Sequence, residues 1–199
     1  MSKDFWNSRY SEQQFVYGTE PNAFLKEQID KLKPGKALFL GEGEGRNAVY
    51  AAKLRWQVDA IDFSFSAKDK ALKLANENKV EIVYEVCDLN DYNFRLNHYD
   101  LIVMIFVHLP TELRKSVFKN SIMSLKQNGK MIVEAFNKKQ INNTSGGPRS
   151  ADLLYSENDL LDLVKGMKTL LIESKVVELN EGKYHKGRAD VVRYVGVKS

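Results

Sequence analysis

The stretch Leu38-Phe39-Leu40-Gly41-Glu42-Gly43-Glu44-Gly45-Arg46-Asn47-Ala48-Val49 decides the fold of this chain. An apolar run from Ala37 to Leu40 follows Pro34-Gly35, breaks into alternating glycines, and resumes with small residues at helical spacing, Ala48, Ala51 and Ala52. The pattern predicts a buried strand, a tight turn and a helix over 45–54. Such a succession lets backbone approach a ligand closely at the carboxyl edge of a sheet. The spacing is G-x-G-x-G; the dinucleotide fingerprint, G-x-G-x-x-G, would need a small residue at Arg46. Glu42 and Glu44 also place carboxylates where a pyrophosphate would meet a helix N-terminus, so they repel that group and suit a ligand carrying cations. A glycine turn that only permits tight packing is the alternative.

Downstream, short apolar runs alternate with helical patterns, which predicts an α/β fold with a mostly parallel sheet. Strands are expected at 57–61, 80–86, 101–106 and 131–136. Helices are expected over 64–78, with Ala67, Ala71, Leu74 and Ala75 on one face, and around Leu113, Val117, Ile122 and Leu125, the latter closed by Asn128-Gly129. The run 101–106 is apolar throughout, as for a central strand covered on both faces. Residues 137–153 turn polar and read as a long surface loop. A helix over 156–164 has Ser156 as N-cap with Asp159 three residues on. Two final strands, 170–179 and 189–197, flank a polar turn at Glu181-Gly182 and imply an antiparallel hairpin. The whole makes a seven-stranded sheet with helices on both faces, one domain over 1–199 with a helical N-terminal segment (1–33) that closes like a lid over the core (34–199).

Acids end the next strands. Asp62, in Ala60-Ile61-Asp62-Phe63-Ser64, suits both hydroxyls of a ribose, or equally the cap of the following helix. Asp88, in Val86-Cys87-Asp88-Leu89, can accept an adenine amino group beside the apolar Leu89, or serve as a strand-end turn residue. Trp6, Tyr10, Phe15 and Tyr17 make an aromatic leader that either covers a ligand or simply packs on the domain; Trp6 and Tyr17 are the candidate contacts.

Together, GEGEGRNAVYAA, AIDFS, VCDLNDYNF and YDLIV resemble the small class I S-adenosylmethionine-dependent methyltransferases of the tellurite-resistance and thiopurine type. The leader WNSRYSEQQFVYGTEPNAFL and the tail NEGKYHKGRA resemble their covering segment and closing hairpin. The resemblance implies a Rossmann-like fold, S-adenosylmethionine as cofactor and S-adenosylhomocysteine as product. Carried over by position, Gly41, Glu42, Gly43, Arg46 and Asn47 belong to the methionine and ribose side. Asp62 and Phe63 would meet ribose and adenine, Asp88 and Leu89 adenine, and Phe106 would lie under the sulfonium. Many relatives have Asp in the first strand and Cys in the glycine loop, where this chain has Phe39 and Glu42.

A methyl transfer to a thiolate or to a selenium or tellurium oxyanion needs alignment and cationic guidance rather than a base. His185, Arg149 and Arg188 are the candidates for that role, each alternatively a surface charge. His108 can line the site or cap the next helix, and His98 reads as structural. A nicotinamide-dependent oxidoreductase is the competing enzyme class. It is disfavoured by the glycine spacing and because the Tyr194/Lys198 pair falls on a strand, where side chains four residues apart do not meet. A non-catalytic cofactor-binding module is the third reading.

The bulk numbers narrow the setting. A 43% hydrophobic and 28% charged composition is ordinary for a globular protein. The single Cys87 excludes an intramolecular disulfide framework and any Cys-rich metal site. No apolar run reaches the roughly 18 residues of a membrane span, and no secretory signal is visible, so a cytoplasmic location is expected. The net charge of +4 comes from scattered bases, which argues against nucleic acid. A small-molecule substrate, no metal, no membrane, and a monomer or homodimer are the expectations.

Overall fold

Strand β1 (Lys36–Leu40) is buried from Ala37 onward, and the fold is laid out from it. It pairs in parallel with β2 (Gln57–Asp62) on one side and β4 (Tyr99–Ile105) on the other. Outside these lie β3 (Val83–Val86) and β5 (Leu125–Phe136), also parallel. The last strands, β6 (Met167–Asn180) and β7 (Lys186–Lys198), form an antiparallel hairpin in which β7 inserts beside β5. The order β3-β2-β1-β4-β5-β7-β6 puts a topological switch point between β1 and β4. Open α/β sheets bind ligands at the carboxyl ends of their strands beside such a point. The computed structural model describes residues 3–199. Residues 1 and 2 of the expected N-terminal segment lie outside the described residues.

Alternation along each strand divides the core. Ala37 and Phe39 face helices α2 (Ala23–Ile29), α3 (Arg46–Lys53) and α4 (Phe65–Glu77) through Phe24, Leu25, Ile29, Ala48, Ala51 and Ala71. Leu38 and Leu40 face α5 (Thr111–Ser124) and α6 (Glu157–Leu163) through Val117, Phe118 and Leu160. Burying each large apolar side chain contributes about 1.5–3 kcal/mol. Gly45 explains one glycine of the opening motif: at φ +89° it precedes α3, and a Cβ there would stand 2.6 Å from the Ala71 Cβ of α4. Helix α6 carries the expected capping box, with Ser156 and Asp159 bonding each other's backbone.

Four readings change. Helix α5 stops at Ser124, not at Asn128-Gly129. Leu125 is fully buried and already extended, pairing with Tyr99, while Asn128 at φ +64° lies by a register shift inside β5. Strand β3 is shorter than the alternation over 80–86 implied, because the Val80 amide turns back to the Ala75 carbonyl to close α4. Residues 137–153 are not a solvated loop. Gln140 lies in the first of two short 3-10 turns, is 1% exposed, and bonds Ser145, Gly146, Asn143 and the Asp190 amide. The N-terminal segment also divides: α2 is part of the core, so only α1 (Lys3–Tyr10) and the chain to about Asn22 cover the site.

Candidate active site

The carboxyl ends of β1, β2, β3 and β4 open into one cavity of about 400 Å³, within the size range of small-molecule sites. Its lining includes Gly41, Glu42, Arg46, Asn47, Asp62, Phe63, Asp88, Leu89 and Phe106, with Trp6 and Tyr17 from above and His185 from the hairpin. Residues scattered from the leader to the hairpin thus meet at one edge of the sheet.

The β1 loop is built around two acids with different tasks. Glu42 Oε1 accepts the amides of Asn47 (2.9 Å) and Ala48 (2.8 Å), which are free donors at the start of α3. It thereby occupies the helix N-terminus, leaving no seat there for a phosphate. Burial pushes Glu42 up to about 8, against those amides and the Arg46 guanidinium. Glu44 turns away to the leader instead. Its Oε2 takes the Val16 amide (2.8 Å) and Tyr17 amide (3.3 Å), and its Oε1 takes Lys70 Nζ (2.7 Å). Glu44 is therefore a latch for the covering segment, a role that no local pattern reveals.

Asp62 is 5% exposed and accepts the Gly43 amide at 3.0 Å and the Ser64 amide at 2.9 Å. The helix cap itself is Ser64, which accepts from Ala67. Burial raises Asp62 to about 6 in spite of these donors. Asp88 is exposed to the cavity mouth beside the buried Leu89. Phe106 has φ +56°, a costly conformation for a bulky residue. Its amide is held by the Glu134 carbonyl at 2.7 Å, and its ring stacks 4.5 Å from Phe136 and stands 4.6 Å from His185.

The covering segment is aromatic and tied down by charge. Trp6 stacks on Tyr10 at 5.3 Å, and Tyr17 lies 4.5 Å from the His185 ring. Arg9 sits 4.0 Å over Tyr184 and donates to the Tyr17 hydroxyl at 3.1 Å. Phe15 does not reach the cavity; it packs against Val49, Leu74 and Ala75. The turn glycine Gly182, at φ +79°, lies so close beneath the segment that a Cβ would stand 2.5 Å from the Val16 carbonyl oxygen.

Of the three candidate cations, only His185 lines the cavity. It is not in an exposed turn, being 7% exposed. Its Nδ1 is buried without a hydrogen bond, 3.5 Å from Glu181 Oε2. Burial lowers its pKa, with Arg46 and Arg9 adding to that and Glu181 opposing it. Arg149 is an exposed residue that donates to the Asn143 carbonyl, and Arg188 is an exposed β7 residue opposite Glu178; neither lines the cavity. His108 lines the cavity and caps no helix. Its Nδ1–H donates to the Leu153 carbonyl (2.8 Å), its Nε2 accepts the Phe136 amide (3.4 Å), and burial lowers it to about 4, so it is neutral. His98 lies elsewhere, edge-on to Tyr99. Tyr194 and Lys198 do not meet: Lys198 is spent on Asn97 and the Leu125 carbonyl.

Residues 37–129 match the methyltransferase domain family. In sequence, the chain is 27% identical over 157 residues to a Haemophilus influenzae protein described as the probable S-adenosyl-L-methionine-dependent methyltransferase TehB, covering 75% of this chain and 52% of the relative. The chain thus spans about half the length of the curated relative it matches. In structure, it superposes on crystalline TehB from Haemophilus influenzae with TM-score 0.76 at 20% identity, over 99% of this chain and 67% of that one. It also superposes on the N-methyltransferase NodS from Bradyrhizobium japonicum in complex with S-adenosyl-L-homocysteine, with TM-score 0.73 at 15% identity, over 98% and 97%. A structure from the conversion of a disulfide into a thioacetal in echinomycin biosynthesis gives TM-score 0.81 at 13% identity, over 99% and 91%. The Rossmann-like class I fold is common to the group. The cavity chemistry agrees with its cofactor: Glu42, Asp62 and Asp88 offer carboxylates to a ligand with cationic and hydroxyl groups, and the free Oε2 of Glu42 takes no bond from the described residues. Among those residues no cluster of metal-ligating side chains occurs, and no helix is long and apolar enough to cross a membrane.

Proposed function

With residues 37–129 a methyltransferase domain and the chain resembling TehB in fold, we propose that the protein transfers the methyl group of S-adenosylmethionine to a small-molecule nucleophile held beside His185. The observation that carries this reading is that one cavity is acidic at the strand ends and aromatic at the hairpin, with the buried His185 facing the second part. In this reading Glu42 and Asn47 face the methionine end, Asp62 the ribose, and Phe63, Asp88 and Leu89 the adenine. Phe106 and Tyr17 then flank the transferred group.

The bound cofactor supplies a methyl group on an activated sulfonium. The chain's residues align the acceptor, exclude water and receive a proton where one is released. The acceptor side favours a soft neutral nucleophile such as a thiol over an oxyanion. His108 and His185 are both held towards the neutral form, and the neighbouring side chains are Val107, Leu109 and Phe136.

Titration calorimetry with adenosylmethionine, adenosylhomocysteine and NAD tests the cofactor, followed by a transfer screen over thiols, selenite, tellurite and quinols. Binding of adenosylhomocysteine is expected, and binding of NAD alone would overturn the reading. His185→Ala should lower turnover by about tenfold to a thousandfold, the usual loss of acid–base or electrostatic help. Adenosylhomocysteine affinity should stay within about a factor of two, because the ring is placed at the acceptor rather than the cofactor. Wild-type turnover in that variant removes His185 from the chemistry.

A further inference from the structure

The hairpin turn holds a buried carboxylate that reaches the imidazole and the covering segment at once. Glu181 has a side chain 13% exposed. Its Oε2 lies 2.8 Å from Arg46 Nη2 and 3.5 Å from His185 Nδ1, while its Oε1 accepts from Asn22 Nδ2 at 3.1 Å. Arg46 continues to the Tyr17 carbonyl at 3.3 Å, and the Asn22 amide donates to Asn47 Oδ1 at 2.9 Å. Glu181 is therefore tied to one end of the 17–22 chain through Arg46 and to the other directly through Asn22. The turn is closed underneath by the Glu181 amide on the His185 carbonyl at 2.8 Å.

We propose that Glu181 is a positioning residue that orients and charges His185 for proton uptake, and that it does so in register with closure of the N-terminal segment. The proposal rests on the placement of the acceptor beside His185 given above. An acceptor X–H loses its proton to Nε2, the X–CH3 bond forms, and the S–CH3 bond breaks with its electron pair left on sulfur. The positive charge that leaves the sulfonium thus reappears on the imidazole. Nδ1–H then points at a carboxylate that is already ionised. Against the upward push of its own burial, His185 and Arg46 bring Glu181 down to about 2. The titratable and charged groups facing the imidazole are Glu181 from the hairpin, Arg46 from α3, Arg9 and Tyr17 from the covering segment, and His108 beyond β4. Glu181 is the anion of that set, so its loss leaves Arg46 unpaired beside the ring and disfavours the imidazolium.

When the segment lifts, Arg46 loses the Tyr17 carbonyl and the turn loses the Val16 contact, where the Lys183 amide donates to the Val16 carbonyl at 3.1 Å. The carboxylate is then free to leave Nδ1. A base competent only under the closed segment also protects the bound sulfonium from water.

The test reads the imidazole itself by NMR titration of labelled histidine, with His185→Ala assigning the signal among the three histidines. Glu181→Gln should lower the His185 pKa by about one pH unit or more. In the same protein, amide exchange over 16–22 should quicken by about tenfold or more. Glu181→Asp keeps the charge but withdraws it, and should give a smaller fall in the pKa and a smaller quickening of exchange. If the Gln variant does not fold, the Asp variant carries the comparison. An unchanged His185 titration in a folded variant overturns the positioning role. A fall in pKa with unchanged exchange overturns the coupling to closure. Adenosylhomocysteine titration of the wild type separates these from failure of the functional reading: no binding there sinks the methyltransferase, whereas binding with an unmoved histidine sinks only Glu181.

Discussion

The two ends of the cavity handle charge in opposite ways. At the strand ends of β1 and β2, the half-buried Glu42 and the buried Asp62 have only backbone donors, and desolvation drives both upward, to about 8 and about 6. At the hairpin, Glu181 and Glu134 each face an arginine inside the protein: Arg46 at 2.8 Å and Arg193 at 2.5 Å. Among the described residues neither Glu42 nor Asp62 forms an ion pair, so these two acids are completed by a ligand that brings a cation. The hairpin half is neutralised from within and holds the covering segment in place. A ligand-binding half and a closing half therefore differ in where their counter-charge comes from.

The largest expected effect breaks the self-neutralised half. Glu134 is 1% exposed and joins Arg193 to Asn22 Nδ2 at 2.7 Å. Glu134→Ala leaves the Arg193 guanidinium with only the more distant Glu173 (3.5 Å) and the face of Phe24. Removing one partner of a buried pair costs about 3–5 kcal/mol. Urea denaturation should show that loss, and a change under about 1 kcal/mol would mean the pair contributes as little as a surface bridge.

The same operation in the strand-end half should act mainly on the ligand. Asp62→Ala removes the proposed ribose acceptor, and charge-assisted hydrogen bonds are worth about 1.5–3 kcal/mol, so adenosylhomocysteine affinity should fall by about tenfold or more. It also frees the buried Gly43 amide, so a stability loss of about 1–3 kcal/mol accompanies it. Unchanged affinity in the folded variant would make Asp62 a brace of the glycine loop and nothing more.

These halves were unequally legible in the sequence. Glu42 binds amides five and six residues on, and Asp62 lies two residues from one donor, so strand-end position alone announces them. Asn22 meets Glu134 and Glu181 across 112 and 159 residues, and Arg46 meets Glu181 across 135. No local period encodes such partners. Position alone assigns Arg46 to the cofactor loop, and it does line the cavity, but nothing local shows that its guanidinium also holds the covering segment. By sequence Glu181 is only a turn residue beside its histidine, and Arg149 and Arg188 are near the site in the chain but do not line the cavity. The helix stop at Asn128-Gly129 failed for a related reason: a turn dipeptide does not say whether a helix ends or a strand bends.

The smallest expected effect asks whether the strand-end half really waits for a cation. Glu42 and Asp62 have folded pKa values above the ordinary carboxylate values of about 4.3 and 3.9. A raised acid contributes stability that is fully present below its unfolded value and is lost as pH climbs to its folded value, here from about 4 up to about 6 for Asp62 and up to about 8 for Glu42. The ligand-free protein should therefore lose stability across that window. A bound ammonium or sulfonium favours the ionised carboxylates, so binding below pH 8 must release protons. Affinity for adenosylmethionine should then rise from pH 6 to 8 and level above, with a slope of at most about tenfold per pH unit for each proton released. Calorimetry in buffers of different ionisation enthalpy counts the protons directly. Glu42→Gln should flatten the upper part of the curve and leave the part near pH 6. An affinity that is flat across the window, with no proton release, would mean that the acids are already ionised when empty, and that the contrast between the two halves is one of partners rather than of charge.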